Sequence, residues 1–157
     1  MVYSTQVAVH VKALPAAVYR ALIDPDAIAR WRVPDGMSTE VHEFEAREGG
    51  RFRISLSYSD PATPGKSGEH SDTYHGHFAE LVRNERVVEV LEFESDDPAL
   101  RGTMTMTTTL AEAAGGTDVV LRQEGVPDVV PPADNETGFR MALDKLARLV
   151  ESPQPSP

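Results

Sequence analysis

Three side chains have the types and spacing for proton transfer or metal binding. They are His75 and His77 in TYHGHF, residues 73–78, and Glu89 in RVVEVLEF, residues 86–93. On an extended chain, alternation turns His75 and His77 to the same side, and two imidazoles so placed chelate zinc once a third protein ligand arrives. His42, His70 and Glu89 are the only evident third ligands. No H-E-x-x-H spacing or clustered Asp/His pattern supports them, and the chain contains no cysteine. We therefore expect no metal and no other cofactor, which leaves the two histidines as polar lining of a pocket or as part of an exposed outer face. Glu89 shares one face with Val87, Leu91 and Phe93, while Val88, Val90, Glu92 and Glu94 share the other. The first set is more apolar toward its end, so Glu89 is assigned inward as the lone acid of that side. Buried without a partner, it would have a raised pKa and serve as an acid, a base or a ligand anchor; the competing reading is an ordinary cross-strand ion pair.

Other constellations carry less. KSGEHSD, residues 66–72, has the residue types of a Ser/His/Asp site, but it lies in a Gly/Pro/Ser-rich stretch, and no G-x-S-x-G elbow holds a serine rigidly. Gly49-Gly50 and Gly115-Gly116 each precede a strand with no Lys-Ser/Thr leading into a helix, so they read as turns instead of phosphate cradles.

Several elements must position these residues. Val7, Val9 and Val11 alternate with Ala8 and His10, which predicts a first strand over residues 3–11. Pro15 opens a helix with Val18, Ala21 and Leu22 on one side, and Asp24-Pro25 ends it and opens a second short helix. From Met37 to Glu124 six further strands are separated by turn signals, with a long aperiodic loop at 59–72. PDVVPPAD, residues 127–134, reads as a second irregular connection. A final amphipathic helix over 135–151 carries Phe139, Ala142, Leu143, Leu146, Leu149 and Val150 on one stripe. The proline-rich residues 152–157 are expected to remain an unfolded tail, leaving 1–151 as a single domain.

Helices set apart from a run of strands imply an α+β fold with an antiparallel sheet covered on one face. A helix of about 16 residues is only ~24 Å long and cannot cover seven strands laid flat, so the sheet must curl around it and enclose an apolar gap. Candidates for that gap or for the core beside it are Trp31, Phe44, Ile54, Leu56, Leu91, Met104, Met106, Phe139 and Met141, together with His75, His77 and Glu89. Met104 and Met106 suit either an adaptable ligand cavity or ordinary core filling beneath the last helix. Trp31 suits either a lid or an anchor for the helix pair.

The segments ALIDPDAIARWRVPDG, EGGRFRISL, HGHFAELVRNERVVEVLEFE, GGTDVVLRQEGVP and DNETGFRMALDKLARLVE, in this order, resemble the START-like, Bet v 1-like helix-grip superfamily. Within it they are most similar to the branch named for the C-terminal domain of the activator of Hsp90 ATPase, from about Val7 to Glu151. The chain departs from that family in having Arg32 after Trp31, and Phe139 in the last helix, where tryptophan is common. The resemblance implies a helix-grip fold: a curved seven-stranded sheet around a long C-terminal helix, in the order β-α-α-β6-α.

It also implies three functional expectations. The first is a module holding a small hydrophobic molecule, such as a lipid or an aromatic natural product. The second is a polyketide cyclase or dehydratase type of enzyme moving protons with Glu89, His75 or His77, and the third is an Hsp90 cochaperone. A fold by itself does not choose among them.

Bulk properties narrow the partners. A formal charge of −10 and a pI near 4.9 disfavour nucleic acid and anionic membrane surfaces. The absence of cysteine, and a start, MVYSTQVAVHV, without the basic and apolar segments of a secretion signal, lead us to expect a soluble cytoplasmic protein. An exposed sheet edge would permit a homodimer.

Overall fold

The structure, a computed structural model, describes residues 2–33, 36–58 and 71–151. Residues 59–70 of the expected loop, His70 and the 152–157 tail lie outside the described residues, and Ser71 and Asp72 belong to a strand. The strands are β1 (Val2–Val11), β2 (Met37–Phe44), β3 (Arg51–Tyr58), β4 (Ser71–Val82), β5 (Arg86–Phe93), β6 (Met104–Ala113) and β7 (Gly116–Pro127). The helices are α1 (Pro15–Leu22), α2 (Pro25–Trp31) and α3 (Pro132–Glu151), and a short 3₁₀ turn, Pro98–Leu100, interrupts the β5–β6 connection. All seven strands form one sheet in the order β1-β7-β6-β5-β4-β3-β2, and every neighbouring pair is antiparallel.

Local chemistry sets these boundaries. Pro15 and Pro25 occupy the first helical turns, where no backbone N–H is needed, and the Asp24 carboxylate caps α2 by accepting from the Asp26 N–H at 2.9 Å. The β6–β7 hairpin closes through Ala114 and Gly115, both at positive φ (47° and 76°), as a two-residue turn matching the strand twist requires.

The last helix is longer than periodicity implied: α3 spans 20 residues and starts at Pro132, inside the stretch expected to be irregular. At 1.5 Å per residue it is ~30 Å long. Ala142, Leu143 and Leu146 are its buried face, and its closest packing is with β1, α2 and α1. The Lys145 ammonium also donates to the Val33 carbonyl at 2.6 Å, tying α3 to the end of α2. Under the sheet's concave face, Phe44, Phe78, Phe52 and Tyr74 form a run of tilted and edge-to-face ring contacts with centroids 5.3–6.1 Å apart. This run and the α3 stripe share one hydrophobic core, and α3, seated on the β1 side, leaves a space over the middle strands.

Candidate functional site: a cavity between sheet and helix

That space is a cavity of about 660 Å³, within the range of small-molecule sites. Leu56 of β3, Tyr74 of β4, Leu91 and Phe93 of β5 and Met106 of β6 line one side, and Phe139, Met141 and Ala142 of α3 line the other. Val129, Val130 and Pro131 come from the segment before α3, and the Tyr3 hydroxyl donates to the Val130 carbonyl, which fixes that segment against β1. Acidic side chains, Asp72, Asp97 and Asp134, also border the space.

Arg32, just past the end of α2, reaches into this mostly apolar surround. It is 8% exposed, and its Nη1 donates to Glu89 Oε1 at 2.7 Å, making a buried ion pair; Nη2 lies 3.8 Å from the Met106 sulfur. The guanidinium carbon stands 5.4 Å from the centre of the Tyr74 ring, close enough for cation–π attraction. Burial alone would pull the Arg32 pKa down, but the Glu89 charge and hydrogen bond, with Tyr74, hold it above the ordinary arginine value, so the group stays charged. Burial pushes the Tyr74 phenol up, and Glu89 adds to this while Arg32 opposes it, so the phenol keeps its proton. The Tyr74 hydroxyl is buried and has no hydrogen-bond partner among the described residues. Leaving such a group unsatisfied costs about 1–3 kcal/mol.

On the β7 side the polar groups are joined to one another. Thr5 Oγ1 donates to Asn135 Oδ1, Asn135 Nδ2 donates to Gln123 Oε1 at 2.9 Å, and Gln123 Nε2 approaches the Met104 sulfur at 3.3 Å.

The residues expected at the site fall into four groups. Leu56, Leu91, Met106, Phe139 and Met141 line the cavity. Trp31, Phe44, Ile54 and Met104 do not: Trp31 is 2% exposed with Nε1 donating to the Ala21 carbonyl at 2.9 Å, an anchor between α1 and α2. Phe44 packs edge-on against Phe78, and Ile54 and Met104 are core residues.

His75 and His77 are the main correction, because neither faces the cavity. Their neighbours Tyr74 and Phe78 are the aromatic core members of β4, so parity turns both histidines to the outer face. There His75 lies between Glu92 and Glu94, 3.0 and 3.1 Å away, and Glu94 is also held by Arg53. The aromatic character of Tyr74 and Phe78 against Thr73, His75, His77 and Ala79 was the available signal. Glu89 does turn inward, but it is closed into its pair with Arg32 instead of standing alone. Arg32 and Tyr74 are the functional candidates that strand parity and motif reading passed over. Among the described residues no group of three or more His, Asp or Glu side chains is placed to hold a metal ion, and no helix is long and apolar enough to cross a membrane.

Comparison with known proteins decides the family. The model of the family described as "Activator of Hsp90 ATPase homolog 1-like protein" matches residues 12–151. The chain belongs to this family. A crystal structure of a protein from Chromobacterium violaceum is 34% identical, with 96% of this chain and 98% of that one covered and a TM-score of 0.85. An NMR structure of an AHSA1-like protein from Aeromonas hydrophila is 23% identical, with 95% and 92% covered and a TM-score of 0.71. An NMR structure of a protein from Arthrobacter aurescens is 15% identical, with 98% and 92% covered and a TM-score of 0.79. The last two relate to this chain in fold alone. No curated protein matches the chain. Membership in the activator of Hsp90 ATPase homolog 1-like family, with its helix-grip fold, is thus established, whereas a ligand or activity is not carried by it.

Proposed function

We propose that this protein binds a small, largely apolar molecule in the cavity between α3 and the concave face of the sheet. The observation that carries the reading is a preformed space of about 660 Å³ with largely apolar walls, into which Arg32, paired with the buried Glu89, and Tyr74 bring polar groups on one side and Gln123 and Asn135 on the other. Apolar walls supply affinity and a few fixed polar groups set orientation. The acid–base enzyme reading is less favoured because its proton carriers are elsewhere or engaged. His75 and His77 are on the outer face, and Glu89 is bonded to a cation that keeps it from acting as an isolated acid.

Native mass spectrometry of protein purified from its own host tests the proposal. A reproducible added mass, lost when Gly138→Phe fills the space, is the expected result. Gly138 borders the cavity and a Cβ placed there meets nothing within 4 Å, so the new ring has room to enter. An added mass retained in that variant would locate any ligand elsewhere and overturn the assignment.

A further inference from the structure

The polar cluster says what kind of molecule the cavity takes. Arg32 has five N–H donors, and among the described residues its bonds are to Glu89 and, weakly, to the Met106 sulfur. Tyr74, which lines the same cavity, keeps a hydroxyl without a partner among the described residues. Arg32 can only donate and the Tyr74 hydroxyl can donate as well as accept, so an acceptor oxygen is the one group that both can bind at once. The charge of Arg32 is already matched by Glu89, and among the described residues the other charged groups that border the cavity, Asp72, Asp97 and Asp134, are acidic. A carboxylate seated here would add a second negative charge beside Glu89 in a poorly hydrated space, which costs more than one hydrogen bond returns.

Resting on the binding reading above, we propose that the cavity selects an uncharged, largely apolar molecule bearing an oxygen acceptor of the ketone or ester kind. That oxygen is received by the Tyr74 hydroxyl and the Arg32 guanidinium, and ionised carboxylates are turned away.

Calorimetric titration with three matched probes tests this: 2-acetylnaphthalene, the hydrocarbon 2-ethylnaphthalene and the anion 2-naphthoate. The ketone is expected to bind ~5-fold more tightly than the hydrocarbon, the ratio that a net hydrogen bond confers, and naphthoate at least about 10-fold more weakly than the ketone. Tyr74→Phe, which deletes only the unpartnered hydroxyl, should reduce the ketone's advantage over the hydrocarbon, leave 2-ethylnaphthalene unchanged and not lower the unfolding midpoint of the free protein.

Equal binding of ketone and hydrocarbon, tightest binding of naphthoate, or a ketone preference undiminished by Tyr74→Phe would each overturn the selectivity while leaving the cavity as a binding site. Failure of all three probes to bind, or binding undiminished by Gly138→Phe, would instead remove the binding reading itself.

Discussion

Replacing Glu89 alone by alanine leaves a guanidinium that is 8% exposed without its counter-charge. Breaking a buried pair from one side costs about 3–5 kcal/mol, whereas replacing both partners by apolar groups of similar volume is often near neutral. Urea unfolding should therefore show Glu89→Ala and Arg32→Ala each strongly destabilised, and Arg32→Met with Glu89→Leu recovering most of the loss. Additive losses in the double variant would mean that the two groups are not coupled. On the outer face Glu94 gives a pH-dependent counterpart. The Arg53 guanidinium bonded to it, and His75 beside it, hold its carboxyl below the usual glutamate value against a smaller opposing effect of burial. A depressed folded-state pKa contributes stability that is present above the unfolded value near 4.5 and lost as pH falls through the folded one. Stability should thus decline below about pH 4.5 with a slope that Arg53→Gln reduces, and an unchanged acid limb would remove this pair from the account. At this scale the sequence disclosed half of each interaction. Parity placed Glu89 inward, but its partner is 57 residues earlier, just past a helix end, and alternation within a strand carries no information about it.

At the scale of elements, two glycines make opposite predictions. A Cβ on Gly76 would sit 2.0 Å from the Val90 carbonyl oxygen, so the glycine between the two histidines is required by the approach of β4 to β5. Gly76→Ala should cost at least about 2 kcal/mol, through strain or displaced strand pairing, and a denaturation curve superimposable on the parent's would contradict this. Gly138, inside α3, meets nothing, so Gly138→Ala should raise stability by about 1 kcal/mol through helix propensity alone. A lowered midpoint would show that α3 needs the gap there. The strands, both short helices and the existence of a turn before β7, expected at Gly115-Gly116 and formed one residue earlier by Ala114 and Gly115, were legible because alternation, proline at helix starts and glycine in turns are local signals. The first turn of α3 was not. Pro131-Pro132 reads as a break, yet a proline at the first helical position loses no intrahelical hydrogen bond, and α3 begins there.

For the molecule as a whole, α3 was expected to be gripped by the sheet and is, but it rests toward the β1 side. The cavity follows from that offset. An amphipathic stripe reveals that a helix is covered, not which strands cover it, so the sequence announced a gap without saying which side chains border it. Leu56 and Phe139 border it while Ile54 and Phe44 fill the core, a distinction that depends on where α3 sits across the sheet and not on residue type.

The sheet order places the first strand beside the last, with Val7 opposite Leu121 and Val11 opposite Thr117. During synthesis β1 therefore emerges with no permanent strand partner and must wait until β7 has left the ribosome. Ribosome-bound chains halted before residue 116 should have β1 open to protease, and it should become resistant only after β7 has cleared the exit tunnel. Such late, long-range closure also forecasts refolding in milliseconds to seconds, not microseconds.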